Sequence, residues 1–151
     1  MKKVVITGAN GAVGNAILAQ GMADKDSSIT LIAAVRSARA ASELPPLPSD
    51  RIARVSYDDV SSLKAAFQGA SAVIHLVGVL VEQPGFSYEV ANVETTRRVT
   101  EAAVAASVEK IVCASAIDSD ERSSNRYWRS KGEAEAIVRK SGCAHTILRV
   151  P

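Results

Sequence analysis

Two patterns of apolar residues alternate along the chain. Short unbroken apolar runs predict strands buried on both faces, and a three- to four-residue spacing predicts helices between them. The predicted strands are residues 3–8, 29–36, 52–57, 71–78, 110–116 and 144–150. The predicted helices are residues 15–23, 61–69, 88–107 and 127–142, with Gly69 and Gly142 as stops for the second and fourth. This alternation predicts an α/β domain with a mainly parallel sheet.

The connection between the second and third strands differs from the others. Residues 39–50, RAASELPPLPSD, include three prolines, and we expect them to form no regular element. The chain has 151 residues and is 47% hydrophobic, which suffices for one domain, residues 1–151, but not for two well-developed cores. In such a sheet, ligands bind beyond the carboxyl ends of the strands, where the strand order reverses.

Charge and composition narrow the set of partners. The formal net charge is +2 and the basic residues are scattered, so nothing predicts binding to nucleic acid or to a membrane surface. The longest apolar stretch, residues 71–81, is too short to span a membrane, and the basic start after Met1 is not followed by a signal-peptide core. Cys113 and Cys143 form no CxxC motif, so we expect no metal site and two reduced thiols in a cytoplasmic protein.

Three glycines, Gly8, Gly11 and Gly14, follow the first predicted strand and open the first predicted helix. This context is typical of a dinucleotide-binding loop. The first glycine permits a tight turn, the second lets a pyrophosphate approach the backbone, and the third lets helix and strand pack closely. The N–H groups near Ala12 and Val13 would face the phosphates along the helix dipole. A glycine-rich turn that binds nothing is the alternative, and the complete strand–helix series disfavours it.

The end of the second strand bears on the choice of dinucleotide. NAD-binding domains commonly place an acidic residue there for the ribose 2′-hydroxyl. This chain has Arg36 at that point, Arg39 soon after, and no acid in AAVRSARAA. A guanidinium suits a 2′-phosphate, so the sequence favours NADP(H) over NAD(H). A solvated surface arginine is the alternative.

Several stretches together resemble the short-chain dehydrogenase/reductase superfamily. They are TGANGAVG, VIHLVG, Asn92 in VANVETTRRVTEAA, IVCASA and YWRSKGEAEAIVRKSGCAHTILR. The spacing resembles the extended and atypical branches, and is most similar to NmrA-like proteins and bacterial relatives of the nucleotide-binding accessory subunit of respiratory complex I. The resemblance covers essentially the whole chain. It implies a three-layer Rossmann fold, with a six-stranded, mainly parallel sheet and helices on both faces, that binds NADP(H) or NAD(H).

The resemblance also implies the site residues. Tyr127 and Lys131 match the YxxxK pair of the family, with Ser115 as a weaker polarising hydroxyl. Residues four apart share a helix face, and an ammonium beside a phenol lowers the pKa of the phenol. An ordinary exposed aromatic–cation pair is the alternative. The implied cofactor-binding set is Gly8, Asn10, Gly11, Ala12, Val13, Gly14, Arg36, Arg39, Tyr57, Asp58, Leu76, Val77, Gly78, Asn92 and Lys131.

Three features depart from the family pattern. Ala116 occupies the slot of the usual catalytic hydroxyl at the end of the fifth strand, which leaves Ser115 beside it. Ser56 stands where the family often has an adenine-binding aspartate, with Asp58 as the alternative. The chain ends at Pro151, whereas relatives continue into a carboxyl-terminal region that closes over the substrate, so we expect that region to be absent.

Two functions of different classes therefore stay open. The first is a nicotinamide-dependent oxidoreductase, or its cofactor-binding part, with an unidentified small-molecule substrate. The second is a non-catalytic NADPH-binding sensor or assembly module with an unidentified protein partner. A sugar-nucleotide epimerase or dehydratase is a weaker third. We expect His75 and His145 to be satisfied core histidines, and Trp128 to point away from the cofactor.

Overall fold

A computed structural model describes residues 1–24 and 28–151, and its strands form one six-stranded sheet. The strands are β1 (Lys2–Thr7), β2 (Ile29–Val35), β3 (Ile52–Arg54), β4 (Ala72–His75), β5 (Lys110–Ala116) and β6 (Ala144–Val150). Their order is β3-β2-β1-β4-β5-β6, and every neighbouring pair is parallel. This is the Rossmann arrangement, so the predicted fold is confirmed.

Helices cover both faces of the sheet. They are α1 (Ala12–Ala23), α2 (Ala38–Ser42), α3 (Val60–Phe67), α4 (Thr95–Ala105) and α5 (Arg126–Lys140), with a 3₁₀ turn at Ser49–Arg51 and a π-helical segment at Glu89–Glu94. The neighbouring β1 residues Val5 and Ile6 show why two layers of helices form. Both are fully buried, but Val5 packs with the α3 and α4 side chains whereas Ile6 packs with Leu18 of α1. A strand that is apolar at every position must be covered on both sides.

The proline-rich connection contradicts its prediction in part. Residues 38–42 form the short helix α2, because Ser37 caps its start by accepting a hydrogen bond from the Ala40 N–H. The prolines begin only at Pro45, after the helix has ended. They therefore limit its length without preventing it.

The largest differences from the predicted bounds are at α1, β3, β4 and the predicted helix 88–107. Helix α1 begins at Ala12, three residues earlier than predicted. β3 ends at Arg54 and β4 at His75, each three residues earlier than predicted, because the following residues leave the sheet at its carboxyl edge. The predicted helix 88–107 is two elements, the π-helical segment and then α4. The glycine stops are confirmed: Gly69 and Gly142 follow α3 and α5 with φ of 71° and 76°.

The strand order reverses between β1 and β4, which are neighbours in the sheet. In a parallel sheet, a reversal of strand order of this kind forms a crevice at the carboxyl edge. This places the glycine-rich loop 8–14 and the residues after His75 on either side of one opening.

Candidate functional site

The glycine loop begins with a turn that only glycine accommodates easily. Gly8 has a φ of 71°, and a Cβ at that position would lie 3.0 Å from the backbone nitrogen of Val77. At Gly14, a Cβ would lie 2.5 Å from the carbonyl oxygen of Ala9. The first glycine therefore lets β1 turn beside the end of β4, and the third lets α1 pack against the loop.

The amino terminus of α1 presents its backbone to the crevice. Gly11 is the N-cap, its φ of −73° is ordinary, and no side chain caps the helix there. The first-turn residues Ala12 and Val13 are exposed. A Cβ on Gly11 would meet only the carbonyl oxygen of Gly8, at 3.3 Å, within 4 Å. Uncapped N–H groups at the positive end of a helix, behind an open backbone, form a cradle for an anion.

Two side chains support this loop from the outside. The Asn15 amide donates to the carbonyl oxygen of Asn10 at 2.9 Å, and the Asn10 amide donates to the Glu43 carboxylate at 2.8 Å. The predicted cofactor-binding residue Asn10 thus fixes the loop to the segment after α2. Its side chain is engaged with protein groups in this structure.

Tyr57, in the segment that follows β3, lies against the glycine loop. Its hydroxyl accepts a hydrogen bond from the Gly8 N–H at 3.1 Å. Burial raises the pKa of Tyr57 to about 12, although this hydrogen bond and the nearby Arg36 oppose the shift. Asp58, in contrast, is exposed and pairs with Arg98 of α4 at 3.3 Å. Of the two predicted residues, Tyr57 is the one that contacts the loop.

The two predicted arginines have different surroundings. Arg36 is exposed at the end of β2, and its guanidinium carbon lies 5.0 Å from the centre of the Phe86 ring. Arg39 lies on α2 and pairs with Glu43 at 3.6 Å. The Arg36 N–H groups make no hydrogen bond within residues 1–24 and 28–151. Arg36 is therefore the better placed of the two to receive an anionic group.

Asn92 organises the other side of the crevice. Its buried side chain accepts a hydrogen bond from the Val79 N–H at 2.8 Å and donates to the Ser130 hydroxyl at 3.0 Å. A Cβ on Gly78 would lie 2.9 Å from the Asn92 Oδ1. Asn92 therefore links the segment after β4, including the predicted residues Leu76, Val77 and Gly78, to α5. The π-helical segment brings it there, a geometry common at functional sites.

Lys131 reaches the same region from α5. Its ammonium donates to the carbonyl oxygen of Ala114 at 3.0 Å and would lie 3.9 Å from a Cβ on Gly78. Burial lowers the pKa of Lys131, against the opposing influence of Cys113 and Glu135. The lysine therefore lies at the carboxyl ends of β4 and β5, within reach of a ligand that passes Gly78.

The expected effect of Lys131 on the pKa of Tyr127 is not seen in this arrangement, and the role of the pair stays a prediction. The pKa of Tyr127 is raised, first by burial and then by the neighbouring Tyr88, whose ring centre is 5.7 Å away. The Lys131 ammonium is directed to Ala114 and contributes nothing appreciable to that shift. The shared helix face is present, but the phenolate-favouring contact is not formed in this arrangement.

Ser115 is turned into a buried cluster on the α5 side of β5. It donates to the Glu135 carboxylate at 2.6 Å, so its single proton is used, and it accepts from Ser119 at 2.9 Å. Arg139 and Arg149 also donate to Glu135, which is fully buried. Burial alone would raise the pKa of Glu135, but the hydrogen bonds from Arg149 and Ser115 lower it. The predicted polarising hydroxyl is thus engaged by a carboxylate.

His75 is a satisfied core histidine, as expected. Thr96 donates its hydroxyl proton to the carbonyl oxygen of Asn92 at 2.7 Å, so it must accept from Nε2 of His75, at 3.0 Å. Nδ1 of His75 then accepts from the Thr7 hydroxyl at 2.8 Å. Burial, and then Lys131, lower the pKa of His75 to about 3, so the ring is neutral. His145 was expected to be similar but is exposed, because β6 is an edge strand.

Several contributors to the site carry no motif of their own. Ser130, Thr96 and Glu135 are polar residues that face inward from helices, and their burial could not be read from polarity alone. For Glu135, one signal was readable, because Arg139 lies four residues later on the same helix face. The Phe86 contact joins segments 50 residues apart and left no local pattern. Trp128 is partly exposed beside Tyr127.

A separate groove of about 690 Å³ lies between α4 and α5, lined by residues that include Val104, Ala136 and Ile137. No residue of the glycine loop lines this groove. We therefore assign the candidate site to the crevice, where the glycine loop lies, and not to the groove. Among the described residues, no helix is long and apolar enough to cross a bilayer. Within the same residues, no group of three or more His, Cys, Asp or Glu side chains could hold a metal ion.

Known proteins resemble this chain in both sequence and structure. A family model described as NAD(P)H-binding matches residues 8–151. An NADPH-dependent quinone oxidoreductase from Escherichia coli is 25% identical, with a TM-score of 0.73 over 97% of this chain and 46% of that one. A triphenylmethane reductase from Citrobacter sp., solved with NADP(H), is 24% identical, with a TM-score of 0.75 over 97% and 48%.

A third similar structure belongs to a different class of enzyme. A nucleoside-diphosphate-sugar epimerase from Staphylococcus aureus is 19% identical, with a TM-score of 0.76 over 99% of this chain and 50% of that one. Likeness at this level of identity shows the fold alone. The chain spans about half the length of the three structures.

Proposed function

The chain belongs to the NAD(P)H-binding family, and from that premise we propose that it binds NADP(H) in preference to NAD(H) and serves as the cofactor-binding part of an oxidoreductase. The observation that carries the proposal is the uncapped amino terminus of α1 behind Gly11, facing the crevice between β1 and β4. This cradle fits the pyrophosphate of a dinucleotide.

Arg36 supports the choice of NADP(H). Its exposed guanidinium lies at the end of β2 against the Phe86 ring, without a carboxylate partner in the described part of the chain. A guanidinium binds a phosphate through paired N–H donors. Two similar structures were solved with NADPH or NADP(H). NAD(H) is the alternative cofactor, because the sugar 2′-position is the only difference between the two.

The chemistry of the proposed site follows from α5. A bound nicotinamide would supply hydride transfer. Tyr127 would donate or accept the accompanying proton, and Lys131 would hold the ligand beside Gly78. For Lys131 to lower the pKa of Tyr127, its ammonium must leave the carbonyl oxygen of Ala114, where it lies at 3.0 Å. The proposal also includes an unidentified small-molecule substrate or protein partner and a location in the cytoplasm.

A non-catalytic NADPH-binding module is the second candidate, and one observation favours it. Ala116 offers no hydroxyl at the end of β5, and the hydroxyl of Ser115 is bonded to Glu135 at 2.6 Å. The substrate oxygen would then lack the side-chain donor that usually polarises it. Under this candidate, NADPH binds measurably and turnover is slow or absent for every substrate tried.

The test of dinucleotide binding is Gly11→Val, compared with Ala19→Val on an exposed position of the same helix. Titrations with NADPH and NADH, followed by cofactor fluorescence, should give saturable binding in the wild-type protein and in the control. In Gly11→Val the branched side chain enters the path of the pyrophosphate, so we expect saturable binding of both cofactors to be lost.

Circular dichroism should show that both variants fold, since the φ of Gly11 is accessible to any residue. Unchanged NADPH affinity in a folded Gly11→Val protein would contradict the assignment of the pyrophosphate to this loop. Failure of the wild-type protein to bind either cofactor would contradict the proposed function as a whole.

A further inference from the structure

Phe86 contacts Arg36 across the crevice. Arg36 follows β2, whereas Phe86 belongs to the loop that follows β4, here called the β4–α4 loop (79–88). Strand β1 and its glycine loop lie between these two strands. The guanidinium carbon is 5.0 Å from the ring centre, within the range of a cation–π interaction.

The β4–α4 loop holds Phe86 in place by its own contacts. The Phe86 N–H donates to the carbonyl oxygen of Gln83 at 2.8 Å, which closes a turn through Pro84 and Gly85, whose φ is 79°. Glu82 accepts from the Tyr88 N–H at 2.9 Å and pairs with Arg126 at 2.8 Å. The ring is therefore presented by an anchored turn.

This contact leaves the N–H groups of Arg36 available. A guanidinium interacts with an aromatic ring through its face, whereas it binds a phosphate through the N–H groups on its edge. The two interactions are compatible on one side chain. A ring that holds the guanidinium in place also removes part of the conformational entropy that a free arginine would lose when it binds an anion.

We propose that Phe86 is a specificity-determining residue for the 2′-phosphate of NADP(H), acting by positioning Arg36. The inference rests on the proposed function. It adds Phe86, from a different segment of the chain, to the residues that determine cofactor specificity. Arg36 makes the contact with the phosphate. Phe86 makes that contact stronger without touching the cofactor's nicotinamide end.

The test compares Phe86→Leu with Phe86→Tyr, in the wild-type protein and in an Arg36→Met background. Dissociation constants for NADPH and NADH are measured by fluorescence titration. Phe86→Leu removes the ring and should weaken NADPH binding about two- to fivefold, the strength of an exposed cation–π contact, while NADH affinity stays unchanged. Phe86→Tyr retains the ring and should bind NADPH like the wild type. In Arg36→Met, Phe86→Leu should have no further effect.

Four results would overturn the inference. Tighter NADPH binding in Phe86→Leu would mean that the ring competes with the phosphate. Equal losses for NADPH and NADH would mean that the loop covers both cofactors alike. An undiminished effect in Arg36→Met would mean that Phe86 acts independently of Arg36. If the wild-type protein binds NADPH and Phe86→Leu binds it equally well, this inference fails while the proposed function stands.

Discussion

Arg36 and Arg39 differ in how much of their charge is already balanced. Arg39 pairs with Glu43 on its own helix, whereas Arg36 faces an aromatic ring and solvent. A hydrogen bond to a charged group contributes about 1.5–3 kcal/mol, so Arg36→Met should weaken NADPH binding about tenfold or more. NADH affinity should barely change. The measurement is the ratio of the two dissociation constants.

Arg39→Met is the matched control for this prediction, because it removes a similar charge from the adjacent helix. Its effect on NADPH should be smaller than that of Arg36→Met. Equal losses of NADPH and NADH affinity in Arg36→Met would contradict the role given to this arginine.

At single positions, the sequence predicted where residues lie better than it predicted the hydrogen-bond partners of their side chains. Gly8 and Gly14 have the geometry that their spacing indicated. Ser115 lies beside the expected slot, but its hydroxyl faces Glu135. The direction of a small polar side chain depends on the partner that burial brings to it. That partner lies on another element, 20 residues away.

Helix α5 carries Tyr127, Lys131 and Glu135 at intervals of four residues, so one face serves both the crevice and the buried cluster. In any assay that yields turnover, Tyr127→Phe should leave NADPH binding intact and lower the rate about 100-fold or more, because the proton donor is lost. Lys131→Met should weaken NADPH binding as well as the rate. Cofactor titration and steady-state rates with quinone or other carbonyl substrates separate these effects.

Glu133→Gln, on the same helix but outside the three-residue stripe, is the control and should alter neither quantity. Turnover that survives Tyr127→Phe would contradict the assigned proton donor.

The helices and strands with a regular spacing of apolar residues were predicted well. The residues at which they begin and end were predicted less accurately. The apolar runs at β3 and β4 continue past the sheet because residues beyond it, such as Val55 and Leu76, still pack into or against the core. The π-helical segment before α4 could not be predicted from periodicity. Its extra residue per turn is held by contacts of Asn92 with other segments.

His75 connects three parts of the molecule: the end of β1 through Thr7, the end of β4, and the start of α4 through Thr96. Its pKa is lowered from about 6.5 to about 3 by burial and by Lys131. The unfolded chain therefore binds one more proton than the folded one between these values. The free energy of unfolding should fall as the pH decreases from 6.5 to 5, by up to about 1.4 kcal/mol per pH unit.

The chain has two histidines, which supplies the control for this pH dependence. His145 is exposed, so His145→Gln should retain the wild-type slope in urea-unfolding series between pH 5 and 7. His75→Gln should be less stable and should lose the slope. A wild-type stability that is flat across this range would contradict the neutral, buried state of His75.

For the molecule as a whole, the topology was predictable because the alternation of strands and helices admits few parallel arrangements. The position of the crevice followed from that topology. The contact between Phe86 and Arg36 and the linkage through His75 were not predictable, because each depends on residues that meet only after the sheet has formed.

The hydroxyl–imidazole chain through His75 also controls how the ring hydrogen exchanges with heavy water. The hydrogen on Nε2 of His75 is buried and bonded to Thr96, so it can be replaced by deuterium only when β4 and α4 separate. Thr7, at the other end of the chain, directly precedes the glycine loop. A dinucleotide bound to that loop would stabilise the closed state, and the exchange lifetime would lengthen with ligand concentration. The exchange rate of the His75 Nε2 hydrogen, followed by its resonance, would thus report how readily the protein interior opens.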